Sequence, residues 1–77
     1  MTTAAPPQET VGELFRRRRL ERGLTLEQVA RDAGCAYSTL IRHELDQRGS
    51  IRKGTVAAIA RVLGLTDDDL ARVGVTP

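Results

Sequence analysis

Apolar positions along this chain recur at intervals of three and four. The stretch Thr25 to Leu45, TLEQVARDAGCAYSTLIRHEL, carries the pattern most fully. Val29, Ala30 and Ala33 share one face of a short helix. Leu40, His43 and Glu44 share one face of a second. That leaves Tyr37, Ser38, Ile41, Arg42 and Leu45 on its opposite side, because residues three or four apart are helical neighbours. Gly34 sits between the two helices, where the chain must reverse and left-handed backbone costs least. Ala30 is small enough for the two helices to cross closely.

The same periodicity places three further helices. Val11, Leu14, Phe15 and Arg22 form one stripe, with Arg18 on the same line. This predicts a helix from about Glu9 or Thr10 to Arg22, closed by Gly23. Arg18 interrupts the apolar face, so its stem is expected along the stripe with its charge at the edge. Leu20 points the opposite way, either as an ordinary exposed leucine or as a partner contact. Thr25 and Gln28 form a capping box that opens a helix over about Leu26 to Ala33. The next helix runs from Ala36 or Tyr37 to about Leu45. It starts poorly capped, since neither Cys35 nor Ala36 offers an acceptor, although Ser38 could help from inside. A polar turn follows over residues 46–52. Val56, Ile59, Ala60 and Leu63 define a helix from Lys53 to Leu63, stopped by Gly64. Thr66, followed by Asp67, Asp68 and Asp69, opens a fifth, whose Leu70 and Val73 fold back onto the core. Residues 1–8 read as a disordered tail, 9–73 as one domain and 74–77 as a C-terminal tail. The fold class is all-α: a compact bundle of four to five short helices in which Thr25 to Leu45 is a helix-turn-helix.

Composition narrows the chemistry. With 77 residues and 3% aromatic content, aliphatic side chains must fill a small core. The single cysteine, Cys35, and single histidine, His43, rule out a disulfide framework and weaken any metal site. Cys35 reads as a small core residue rather than a redox switch, and His43 as packed rather than a ligand. No apolar run is long enough to span a membrane, and MTTAAPPQ is not a signal peptide, so a cytoplasmic protein is expected. No nucleophile, base and orienting acid are arranged for catalysis, and no glycine-rich phosphate loop is present. Neither an enzyme nor a cofactor is expected. Net charge is only +2, but the basic residues cluster: Arg16 to Arg19 with Arg22 in one helix, and Arg48, Arg52 and Lys53 around one loop. Such clustering can make a positive face on a nearly neutral protein.

From Val11 to about Leu70 the chain resembles the lambda-repressor-like (Cro/C1, XRE-type) helix-turn-helix domains. The resemblance rests on VGELFRRRRLERGLT, LEQVARDAG, STLIRHE and TVAAIARVLGL in combination. It implies a DNA-binding bundle, acting as a two-fold dimer in transcriptional regulation. It also implies that Arg19 pairs with Glu44, locking the first helix to the recognition helix. Four positions depart from the family pattern. Leu26 stands where glutamine is common early in the second helix, Ala36 where a serine caps the recognition helix, His43 at an apolar core position, and Arg18 where a leucine is expected.

Tyr37, Ser38, Ile41 and Arg42 are the candidates for base readout. Arg42 has the fork for guanine O6 and N7, Ile41 an apolar surface for a thymine methyl, and Ser38 and Tyr37 hydroxyls for edges or phosphates. Two other readings stand beside this one: a plain solvated helix face, and an ion pair of Arg42 with Asp46 at i+4. Thr25 and Gln28, at a helix N-terminus, and Arg48, Ser50, Arg52 and Lys53, after the recognition helix, are the candidates for phosphate anchoring. The bland reading of the loop charges is solubility. The expected partner is double-stranded DNA, bound by a homodimer at a near-palindromic site, with no membrane involved. The leading expectation is a sequence-specific regulator, a repressor or Cro-like switch. The rival is an antitoxin or adaptor whose main partner is another protein.

Overall fold

Three threonines set where helices begin. The Thr10, Thr25 and Thr66 hydroxyls accept the amides of Glu13, Gln28 and Asp69 at 3.1 Å, and those three side chains accept the threonine amides in return. The computed structural model describes residues 9–47 and 53–75. Within them lie α1 (Val11–Glu21), α2 (Leu26–Ala33), α3 (Tyr37–Glu44), α4 (Lys53–Leu63) and α5 (Asp67–Arg72), with no strand. The Thr10 box shortens α1 relative to expectation: Thr10 is its cap, not its first turn, and Arg22 lies just past its end.

All five helices finish the same way. One amide returns to the carbonyl five residues back, and the preceding amide to the carbonyl three back, as in Leu24 to Arg19 and Gly23 to Leu20. Gly23, Gly34, Gly64 and Gly74 supply the left-handed residue for α1, α2, α4 and α5, while α3 uses Asp46 at φ 56°.

The apolar core is aliphatic apart from Phe15. Phe15, Val29, Leu40, Ile59 and Leu63 are fully buried, with Val11, Leu14, Ala30, Val56, Ala60 and Leu70 nearly so. Each fully buried large side chain contributes on the order of 1.5–3 kcal/mol of transfer free energy. α1 and α2 each pack against both α3 and α4. Leu70 carries α5 onto this core, and Val73 and Val75 pack beside it. Val75 falls outside the domain boundary expected at residue 73, but its amide returns to Leu70 O at 2.9 Å and draws it inward.

Two arginines, Arg18 in α1 and Arg22 just past its end, lie beside the end of α4. Arg18 is half-buried, and its guanidinium donates to Leu63 O at 3.3 Å and Gly64 O at 3.4 Å. A cation there meets the negative end of the α4 dipole. Arg22 is exposed rather than part of the inward stripe, since the helix ends before it. Its Nη1 lies over Gly64, 2.7 Å from where a Cβ would stand.

Candidate nucleic-acid interface

α3 presents two chemically distinct faces. Leu40 and His43 are buried, and the His43 ring meets Phe15 edge-on at 6.4 Å between centroids. The edge-on geometry is a favourable aromatic arrangement at a position where the family resemblance implies an apolar residue. On the other side Tyr37, Ser38, Arg42 and Leu45 are exposed, and Ile41 is half-buried. Tyr37 is 47% and Leu45 61% exposed, so the outward face combines apolar surface with the hydroxyls and the guanidinium.

Two contacts from α1 fix the C-terminal end of α3. Arg19 and Glu44 form a bidentate pair, Nε to Oε2 at 2.8 Å and Nη2 to Oε1 at 3.1 Å, with side chains 12% and 7% exposed. Arg19 Nη1 also donates to Leu24 O at 3.1 Å, so the guanidinium joins α1, the following turn and α3. The second contact has no counterpart among the sequence expectations. Asp46 accepts from the Thr10 hydroxyl at 2.5 Å and from the Gly12 amide at 3.0 Å. Gly12 is buried there, and a Cβ on it would collide with the carbonyl oxygen of His43 and lie 2.7 Å from that of Glu44. The signal in the sequence is a glycine on the inward line of α1, which leaves room for another backbone.

The Arg42–Asp46 ion pair is overturned by this geometry, because the Asp46 carboxylate turns toward α1. Among the described residues Arg42 has no ion-pair partner. The arginine run behaves differently. Arg17 pairs with Glu9 at 2.8 Å and Glu21 at 3.1 Å, Arg18 with Glu21 at 3.6 Å, and Arg19 with Glu44. The hydrogen bond from Arg17 holds the Glu9 carboxyl below its ordinary range. Most of the charge in the run is therefore engaged within the domain: of Arg16 to Arg19, only Arg16 lacks an ion pair with the described residues.

At the start of α2 the capping box uses the Gln28 amide and the Gln28 and Thr25 side-chain oxygens internally. Four donors remain: the Leu26 and Glu27 amides, the Thr25 hydroxyl proton and the Gln28 side-chain amide. Glu27 adds a negative charge in the same turn. No side chain caps α3, and Ser38 does not supply the missing acceptor from inside. Cys35 packs partly against the core, and burial pushes its thiol pKa up. Arg48, Ser50 and Arg52 lie outside the described residues, and Lys53 opens α4.

No helix among the described residues is long and apolar enough to cross a membrane. In comparisons with known proteins, no curated protein and no solved structure matches the chain. A family model described as a helix-turn-helix domain matches residues 10–73, which spans all five helices. The chain belongs to that helix-turn-helix domain family, of the Cro/C1 type.

Proposed function

We propose that this chain binds double-stranded DNA sequence-specifically and acts as a transcriptional regulator, a repressor or Cro-like switch, with α3 in the major groove. One observation carries the reading. The recognition helix is tied down at one edge by Arg19 and Asp46, while Arg42, Tyr37 and Ser38 stand outward on the other. Arg42 suits a guanine edge, Ile41 a thymine methyl, and the two hydroxyls a base edge or a phosphate. The remaining donors at the start of α2, with Arg48, Ser50, Arg52 and Lys53, would hold the backbone and set register. A homodimer would place two copies of α3 about 34–36 Å apart on a near-palindrome.

Selection of binding sites from random duplexes, with stoichiometry measured, tests this reading. Arg42→Ala should lower discrimination by about 1–3 kcal/mol at one base position, whereas Arg52→Ala should weaken all sequences alike. Equal loss on selected and random DNA for Arg42→Ala would remove the readout role. Affinity should fall steeply with salt. Exposed Leu20 and Leu45, at 57% and 61%, favour a second reading as a protein-interaction module. Absence of DNA binding at low salt, with a co-purifying protein lost on Leu20→Ser or Leu45→Ser, would select it.

A further inference from the structure

Four helices end on a left-handed glycine, and the recognition helix alone ends on a left-handed aspartate. A non-glycine residue in that conformation is costly, although aspartate tolerates it better than most. The carboxylate compensates by leaving its own helix and capping α1. It accepts the Gly12 amide, one of the unsatisfied N–H groups of the first turn, and the hydroxyl of the Thr10 cap. Its charge faces the positive end of the α1 dipole. At the same point the His43 and Glu44 carbonyls press on Gly12, which leaves no room for a side chain.

We infer that Asp46 is a positioning residue of the recognition helix: it fixes the C-terminal end of α3 to the first turn of α1 and so sets the angle at which Arg42 and Tyr37 are presented. The role rests on the DNA-binding reading above. The start of α3 has no side-chain cap, so its orientation depends on tertiary contacts, of which those at this end join it to α1. The inference runs against simple electrostatics. Removing an acid beside a polyanion should tighten binding to any duplex, whereas removing a positioning group should weaken binding to the chosen one.

The test uses the full chain, one duplex it selects from a random pool, and a scrambled duplex of equal length. Asp46→Gly keeps the left-handed backbone and removes the carboxylate, and Asp46→Asn keeps an acceptor without the charge. At a temperature where every variant is folded, Asp46→Gly should bind the selected duplex about tenfold more weakly, as expected for loss of charge-assisted hydrogen bonds. Its binding to the scrambled duplex should hold or tighten. Asp46→Asn should stay within about threefold of the parent chain, since a neutral acceptor retains part of the interaction. The Gly12 amide should exchange faster in Asp46→Gly while the core amides of α2 and α4 do not change. Unchanged or tighter binding of the selected duplex by Asp46→Gly would overturn the positioning role alone, as would equal loss on both duplexes. If the parent chain selects no duplex, the DNA-binding reading fails and this role falls with it. The Gly12 exchange then still reports whether the clamp exists.

Discussion

α2 and α3 have eight residues each and lie side by side, yet they are held in opposite ways. α2 carries its own punctuation. Thr25 and Gln28 close its start, and Gly34 closes its end. α3 has no side-chain cap at its start and an aspartate where the left-handed glycine would be. Its stability comes from elsewhere: Leu40 in the core, His43 against Phe15, Glu44 on Arg19 and Asp46 on α1. α2 fixes both of its ends with its own residues, although it too buries Val29 and Ala30 in the core. The helix proposed to meet the ligand is placed by distant parts of the chain, so its position and its stability respond to the same contacts.

Four measurements would break or sharpen that contrast. The largest effect is expected from Glu44→Ala, which leaves the Arg19 guanidinium nearly buried without its carboxylate. Loss of about 3–5 kcal/mol is expected for such an orphaned charge, read from urea unfolding. A loss below about 1 kcal/mol, the range of exposed pairs, would mean α3 does not depend on this anchor. Gly12→Ala comes next. The added methyl meets backbone carbonyls that cannot rotate away, so overpacking should cost about 1–3 kcal/mol. An unchanged unfolding midpoint would show that α1 and α3 can separate freely.

A reciprocal pair of cap changes follows. Thr25→Ala should cost about 1 kcal/mol by removing a cap that α2 uses, and Ala36→Ser should add about 0.5–1 kcal/mol by giving α3 the cap it lacks. Thermal unfolding of both variants reads the comparison directly, and a destabilising Ala36→Ser would mean that the start of α3 gains nothing from a side-chain acceptor. The smallest effect is expected from acid. The Thr66 backbone amide, bonded to the Asp69 carboxylate, holds its pKa below the ordinary value. The folded state thus favours the ionised form. The stabilisation is complete above the ordinary carboxylate range and is lost as pH falls through the lowered value. The α2 box uses Gln28, which does not titrate. Amide exchange followed from about pH 5 down to about pH 2 should therefore loosen the start of α5 and spare the α2 box. Equal loosening of both would indicate global unfolding rather than cap chemistry.

The fold is largely legible in the sequence. Helix spacing, the capping boxes at Thr25 and Thr66, the glycine stops and the inward stripe of α4 are all local signals, and the structure follows them. The outward face of α3 is legible for the same reason, because the three- and four-residue spacing separates Leu40 and His43 from Tyr37, Ser38 and Arg42. The Thr10 box is equally local, written in TVGE, and sets a helix start that apolar spacing alone misplaces. Asp46 cannot be placed by local rules. As a helical neighbour it stands four residues from Arg42, but left-handed backbone carries it out of the helix and across to Gly12. Arg18 is likewise legible as an interruption of an apolar stripe, while its target, the end of α4, is more than forty residues away.

Periodicity, caps and composition by themselves determined an all-α bundle, the segments of its helices and which side of α3 is turned outward. These follow from interactions between residues a few positions apart. Only the tertiary structure decided which charges are left available and how α3 is held. An arginine run that looked like a positive face is mostly paired, and an acid that looked like a helical partner is a cap for another helix. Long flexible side chains choose among partners brought near by chain reversal, and sequence spacing does not set those distances.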